Sequence, residues 1–166
     1  MSRSARVALI FGGLALGAAV PALAQTANTN LAVTATVAKN CSITTTAVAF
    51  GSYDPAVTNA TTNLDGTGTV VVACTKGAGT RISLGRGANA SGLTRRMRGA
   101  AALLTYELYK NAGRTTVWRS GAVNGLTIPA APSRAARTFT VYGRVPAGQD
   151  VVAGPYTDTV VATINF

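Results

Sequence analysis

The sequence ends in a segment, YTDTVVATINF, in which apolar and polar positions alternate. Side chains of a β-strand point to opposite faces with a period of two, so this segment is predicted to be a half-buried strand. Its apolar row consists of Tyr156, Val160, Ala162, Ile164 and Phe166. Because the sequence contains no later strand, we expect one edge of this strand to lack a partner.

A similar alternation precedes the first cysteine. Within residues 25–40, which contain no Gly or Pro, the positions Leu31, Val33, Ala35 and Val37 alternate with Ala and Thr. This pattern also predicts a strand. Two segments of alternating character therefore lie at opposite ends of the chain.

Shorter segments of the same kind lie between them. The segment 41–55 is predicted to be a strand that ends in a Gly/Asp/Pro turn, and further strands are predicted at 69–74, 81–87, 103–109, 115–118 and 137–145. They are separated by segments 56–68, 88–101 and 119–136, which are predicted to be loops from their composition. Strands at this spacing, without a long helical period, predict a single antiparallel β-sandwich.

The first 24 residues have the pattern of a secretory signal peptide. Arg3 and Arg6 precede the apolar run VALIFGGLALGAAV, and ALA at 22–24 supplies small residues for cleavage after Ala24. The run is too short and too rich in Gly for a membrane span, and no second candidate span follows. We therefore expect export and no membrane span after signal removal.

Export decides how the two cysteines are interpreted. Cys41 and Cys74 are the only cysteines, and their spacing matches no zinc or thioredoxin-type motif. In an oxidising compartment an isolated pair is expected to form a disulfide. Closing a loop of this length stabilises a fold by about 3–4 kcal/mol in the chain-entropy model.

The chain is basic, and this charge has two interpretations. After signal removal it keeps 13 basic and 5 acidic residues. Such a charge suits a partner such as acidic polysaccharide, lipopolysaccharide or DNA, but solubility alone also explains it, and we favour solubility. The cluster RRMR at 95–98 has no interleaved aromatic residues, so no nucleic-acid partner is predicted.

Candidate chemistry is sparse. The chain has no His, which excludes Ser-His-Asp and Cys-His catalysis, and its only Glu, Glu107, lies in a predicted strand. The four aspartates, Asp54, Asp65, Asp150 and Asp158, lie in or near turns or at a strand start. Trp118 is predicted to be a core residue rather than a sugar platform. We therefore expect no catalytic residue, no metal site and no cofactor.

Several motifs resemble those of one family. NCSI, VAFGSYDP, GTVVVACTKG, LLTYELY and above all VYGRVPAGQDVVAGPYTDTVVATINF are similar to the spore coat protein U domain family, which includes pilins of the archaic chaperone–usher pathway. The resemblance covers essentially the whole mature chain. It implies an incomplete immunoglobulin-like antiparallel β-sandwich that a donor strand completes.

The resemblance also assigns roles to segments. It implies a signal peptide at 1–24, a donor-strand segment at 25–40 and a pilin sandwich at 41–166. The donor side chains would be Leu31, Val33, Ala35 and Val37, and the edge of the acceptor groove would be Val160, Ala162, Ile164 and Phe166. The implied partners are a periplasmic pilus chaperone, an outer-membrane usher and other copies of this chain or related pilins.

These observations predict a non-catalytic pilus subunit at the cell surface, exported through the periplasm and serving attachment and biofilm formation. Three alternatives remain open. Residues 31–38 would be the first strand of their own domain, or the whole chain would be a secreted monomeric coat or polysaccharide-binding protein with the same sandwich. A glycan-cleaving enzyme is the third, and its activity would depend on an Asp or on Glu107.

Overall fold

The computed structural model describes residues 24–121 and 123–166. The chain divides into two compact units, residues 1–35 and residues 36–166. The described part of the first unit, residues 24–35, forms neither helix nor strand and is exposed. The predicted signal peptide lies outside the described residues except for Ala24. No helix in the described ranges is long and apolar enough to cross a membrane.

The second unit is built from antiparallel strands. The strands are β1 Cys41–Ala49, β2 Leu64–Cys74, β3 Thr80–Leu84, β4 Arg95–Arg98, β5 Leu103–Tyr109, β6 Leu126–Ile128, β7 Arg137–Val145 and β8 Ala162–Asn165. They form a five-stranded sheet in the order β1-β2-β7-β5-β4 and a three-stranded sheet in the order β6-β3-β8. The predicted all-β class and the immunoglobulin-like antiparallel sandwich are confirmed.

The centre of the five-stranded sheet is the ladder between β2 and β7. It runs without interruption from the pair Leu64–Val145 to the pair Val72–Arg137. Val70, Val72 and Val145 are fully buried on its inner face. Valine suits this position because its branched Cβ packs well on a pleated surface, and each such burial contributes about 1.5–3 kcal/mol.

The two sheets meet across an apolar core. Ile82 of β3 is fully buried and faces Leu104 and Leu108 of β5 across the core cluster. Trp118 is also fully buried, and its Nε1–H donates to the carbonyl oxygen of Ile82 at 2.9 Å. The prediction that Trp118 belongs to the core is confirmed.

Three loop predictions are wrong. Strand β2 begins at Leu64, inside the predicted loop 56–68, because Gly66 and Gly68 are held between neighbouring strands despite their low strand propensity. Strands β4 and β6 lie inside the predicted loops 88–101 and 119–136. Loop-like composition was misleading wherever pairing with a neighbouring strand decided the conformation.

Two predicted strands are absent or reduced. Residues 115–118 make only an isolated bridge, between Tyr109 and Val117. The alternating segment 31–38 contains no strand. A strand needs a partner for its backbone hydrogen bonds, and among the described strands none pairs with this segment.

Candidate functional site

The second half of β1 leaves the regular ladder at a β-bulge. Thr46 lies opposite Thr69 and Ala49 lies opposite Thr67, so β1 has one residue more than β2 between these pairs. The Oγ1 of Thr46 accepts a hydrogen bond from the backbone N–H of Thr69 at 2.9 Å. A bulge of this kind bends the strand and redirects the side chains that follow it.

Two glycines allow the redirected side chains to lie close to the five-stranded sheet. A Cβ at Gly68 would lie 2.8 Å from Val48 Cγ2, and a Cβ at Gly143 would lie 2.7 Å from both Val48 Cγ1 and Phe50 Cζ. The Phe50 ring also meets the Tyr106 ring edge to face, with centroids 6.1 Å apart. Val48 and Phe50 therefore pack against the sheet at positions where any larger residue would exclude them.

The chain before and within β8 uses one of its two edges. The carbonyl oxygen of Val161 accepts from Gly85 N–H at 2.8 Å, and that of Thr159 accepts from Ala88 N–H at 3.1 Å. Thr157 exchanges two backbone hydrogen bonds with Arg98, at 2.8 and 3.0 Å. The odd-numbered residues therefore direct their backbone groups toward β3 and the segment that follows it.

The other edge of β8 has no partner among the described strands. Successive residues of a strand direct their N–H and C=O groups to opposite edges, so Val160, Ala162 and Ile164 direct theirs away from β3. Their side chains are partly buried and pack against the core. This edge therefore combines a row of backbone donors and acceptors with an apolar inner face.

Two adjoining cavities with both apolar and polar lining lie between β1 and the C-terminal segment. The first, of about 320 Å³, is lined by Thr45–Val48 of β1 and by residues 156–158, Val160 and Ala162 of the C-terminal segment. The second, of about 660 Å³, is lined by residues 48–53 and 151–156. They share Val48, Phe50, Met97 and Tyr156. We call the two together the groove.

One polar cluster fixes a wall of the groove. Asp158 accepts hydrogen bonds from the Tyr106 hydroxyl at 2.7 Å and from the side-chain amide of Asn89 at 3.0 Å. Burial, followed by the hydrogen bond to Asp158, raises the pKa of Tyr106 far above its ordinary value near 10. The phenol stays neutral and remains a donor, so Asp158 is held in one orientation.

A buried arginine forms a second polar cluster, at the end of β3. Arg95 of β4 is fully buried, and its guanidinium donates to the carbonyl oxygens of Leu84, Gly85 and Trp118 at 2.6–3.2 Å. It also pairs with Glu107, which a second arginine, Arg119, contacts as well. These bonds tie the two sheets together where β3 ends.

The N-terminal segment joins the sandwich at a fixed point. The predicted disulfide between Cys41 and Cys74 is present, and these residues are also paired in the β1–β2 register. Thr75 N–H donates to Asn40 O at 2.9 Å, Asn40 N–H donates to Thr75 Oγ1 at 3.1 Å, and Thr75 Oγ1 donates to Ala38 O at 3.2 Å. Residues 38–40 are therefore held beside the disulfide.

The four predicted donor side chains are exposed. Leu31 and Val33 are each 86% exposed, Val37 is 82% exposed, and Ala35 is exposed as well. An alternating row of this size leaves apolar surface in contact with water in the chain on its own.

Three of the four predicted acceptor residues are partly buried beside the groove or the core, and the fourth, Phe166, is exposed. Val160 and Ala162 line the groove, and Ile164 lies within β8 and packs against the core. Phe166 follows the strand and is 54% exposed. The sequence did not reveal Val48, Phe50 and Met97 as groove residues, although the glycines of β2 are a signal that a neighbour packs against that strand.

Comparisons with known proteins identify the family. The model of the Spore Coat Protein U domain family matches residues 27–163. Over 174 aligned residues the chain is 42% identical to Protein U of Myxococcus xanthus, and the alignment covers 96% of each protein.

A solved structure has the same fold. It is the CsuC–CsuE chaperone–tip adhesion subunit pre-assembly complex from archaic chaperone–usher Csu pili of Acinetobacter baumannii. The match has a TM-score of 0.58 and 21% identity, and it covers 79% of this chain and 40% of the matched one. This chain therefore spans less than half the length of the structure that it resembles.

Proposed function

Because this chain belongs to the Spore Coat Protein U domain family, we propose that it is an exported structural subunit of an archaic chaperone–usher pilus. It would polymerise by donor-strand exchange, without catalysis, and serve surface attachment and biofilm formation. One observation carries the proposal. The free edge of β8 borders a groove, lined in part by Val160 and Ala162, in a chain whose N-terminal segment exposes an alternating apolar row.

The donor segment is residues 26–38, which we call the arm. Backbone hydrogen bonds to β8 would hold the arm in register, and Leu31, Val33, Ala35 and Val37 would enter the groove. Each large aliphatic side chain buried in this way contributes about 1.5–3 kcal/mol. Several of them, together with the ladder, give a long-lived contact.

The topology favours an arm from a second copy. An arm antiparallel to β8 completes the antiparallel pattern of the sandwich, and its last residues then lie near Tyr156. The root of a copy's own arm is held beside Cys41, at the opposite end of β1. β1 is about 27 Å long, whereas the four residue steps from Val37 to Cys41 span at most about 14 Å. A copy's own arm therefore cannot enter its own groove in this direction.

The same features call for protecting partners. An open strand edge beside apolar surface invites aggregation during export. We propose that a periplasmic chaperone covers the groove first and that an outer-membrane usher is the place of exchange. The chaperone–subunit complex among the structural neighbours supports a chaperone partner for this chain.

Deleting residues 26–38 from the full chain tests the proposal. We expect wild-type fibres to give ladders that resist detergent in the cold, and the deletion to leave only monomers. The matched control replaces Thr34 and Thr36, on the opposite face of the arm, with Ser and should still polymerise. Unchanged ladders after the deletion would refute the donor role.

The second candidate is a secreted monomeric coat or polysaccharide-binding protein. The family description and the high identity to Protein U favour it. This candidate predicts a single stable monomer peak on sizing without any chaperone, and no response to the arm deletion. The pilus proposal predicts aggregates or polymers of the wild-type chain under the same conditions.

A further inference from the structure

Charge is distributed unevenly along the strands of the sandwich. Cys41 and Cys74 are paired at one end of β2, and Leu64 and Val145 are paired at the other end. Eleven residues of β2 separate these ends by about 34 Å. We call residues 36–41, 74–80 and 128–137 the disulfide end, and residues 50–63 and 146–156 the loop end.

The disulfide end carries only positive charge. Its segments contain Lys39, Lys76, Arg134 and Arg137 and no Asp or Glu. The first three of these side chains are exposed, and none of the four takes part in an ion pair within the described residues.

Backbone contacts hold the segments of the disulfide end together. Gly77 N–H donates to Ala131 O at 2.8 Å, and Ala131 N–H donates to Ala78 O at 3.0 Å. Asn40 and Arg134 line the same small surface cavity beside the disulfide. The positive charges are therefore carried on a defined surface around the root of the arm.

The charged side chains of the loop end are acidic. Its two segments contain Asp54 and Asp150 and no Lys or Arg, and both aspartates are exposed. The loops are joined by hydrogen bonds from Tyr53 Oη to Pro146 O at 3.0 Å and from Gly148 N–H to Asn59 O at 2.8 Å.

Three arginines stand near the loop end. Arg114 and Arg144 pair with Asp65 where β2 begins. Arg98 lies at the end of β4. Arg98 Nε donates to Asn89 Oδ1 at 2.9 Å, and Asn89 in turn donates to Asp158. The carboxylate of Asp158 thus offsets the charge of Arg98. The two segments of the loop end carry only acidic charged side chains, in contrast to the disulfide end.

We infer that the disulfide end of one copy and the loop end of the preceding copy form an electrostatic interface between subunits. The inference rests on the proposed function. An arm antiparallel to β8 leaves the groove beside residues 151–156, and Lys39 and Asn40 follow the arm directly. The donor's disulfide end therefore arrives against the acceptor's loop end, in an open head-to-tail arrangement.

This interface acts on the rate of assembly. Ion pairs between exposed side chains add little to the stability of a complex and are screened by salt. Complementary charged surfaces instead raise the frequency of productive encounters, commonly by tenfold or more. Here they would orient each incoming subunit with its arm toward the open groove.

Charge reversal in the full mature chain tests the inference. The disulfide-end variant is Lys76→Glu with Arg134→Glu, and the loop-end variant is Asp54→Asn with Asp150→Lys. Asn at position 54 keeps the oxygen that accepts from Ala56 and Val57 N–H. The matched control for the disulfide-end variant, Arg86→Glu with Lys110→Glu, makes the same change in charge at positions that belong to neither end.

Polymerisation would be followed by light scattering at about 0.01 M and about 1 M salt, where the Debye length is roughly 30 Å and 3 Å. At low salt we expect each end variant to polymerise on the order of tenfold more slowly than wild type, and the control to differ much less. Combining both end variants in one chain should restore part of the rate. At high salt the differences should vanish.

A synthetic peptide of residues 26–38 separates the inference from the proposed function. The peptide carries the arm without Lys39 or any other charged side chain of the two ends, so it should block polymerisation of every variant equally. A peptide without effect contradicts the proposed function. An effective peptide, combined with equal low-salt rates for wild type and both end variants, overturns the inference alone.

Discussion

The arm and the C-terminal strand are similar as sequences and differ as structures. Both alternate small β-branched or aliphatic residues with Thr over a comparable length. Residues 162–165 form β8 beside β3, with Ile164 packed against the core. Residues 31–37 form no strand, and Val33 is 86% exposed.

The difference teaches that alternation specifies which face is apolar, whereas a neighbouring strand edge decides whether a strand forms. β8 has such an edge on one side only. The arm has none among the described strands. β8 therefore has a free edge to which another strand could pair, and the arm has the sequence of a strand but no strand to pair with among the described residues.

The largest expected change in stability comes from the disulfide, where the arm joins the sandwich. Replacing both Cys41 and Cys74 with Ala should lower the free energy of unfolding of the sandwich by about 3–4 kcal/mol. Urea denaturation of wild type and variant would measure it. Because residues 26–35 are exposed, deleting them should change the same quantity by less than about 0.5 kcal/mol. A large loss from that deletion would mean that the arm is part of its own fold.

The next effect compares one side chain from each segment. Ile164→Ala should destabilise the chain by about 2 kcal/mol, because it leaves a cavity next to the core. Val33→Ala should leave the stability of the monomer within about 0.5 kcal/mol, because its side chain is exposed. Thermal unfolding of the two variants beside wild type provides the measurement. Equal destabilisation by both would contradict the contrast between the segments.

The smallest expected change in stability comes from the ion pairs of Asp65, which lies in neither the arm nor β8. A hydrogen bond from Arg144 and the nearby charge of Arg114 lower the pKa of Asp65 below its ordinary value of 3.8. This carboxylate therefore stabilises the fold above pH 3.8, and the contribution is lost as the pH falls through the lowered pKa.

The Asp65→Asn variant should be less stable than wild type by up to about 1 kcal/mol at neutral pH. The difference should disappear in acid. Asp150→Asn is the matched control, because Asp150 is exposed and makes no ion pair among the described residues. A difference that persisted in strong acid would show that the ionised carboxylate is not its cause.

Much of the fold followed from local pattern. The valines of β2 and the alternation of β7 identify the central ladder, because strands buried on one face must alternate. The disulfide followed from two cysteines in an exported chain. These features depend on residues that are close in sequence or on counts, so a single sequence is sufficient for them.

The remaining features depend on long-range contacts. Arg95 lies in a buried strand only because three backbone carbonyls and Glu107 surround its guanidinium. Half of the groove was likewise beyond local pattern. Val160 and Ala162 were predicted from alternation, whereas Val48 and Phe50 contact them only after a bulge redirects β1.

The disulfide also decides how this molecule would carry a mechanical load. In a fibre linked through the arms, tension enters each subunit at Cys41. The bond to Cys74 passes that tension directly into β2, which lies between β1 and β7 in the sheet, before the β1 ladder is loaded. With the disulfide intact, tension would unfold another part of the subunit before β1. With the disulfide reduced, tension would separate β1 from β2.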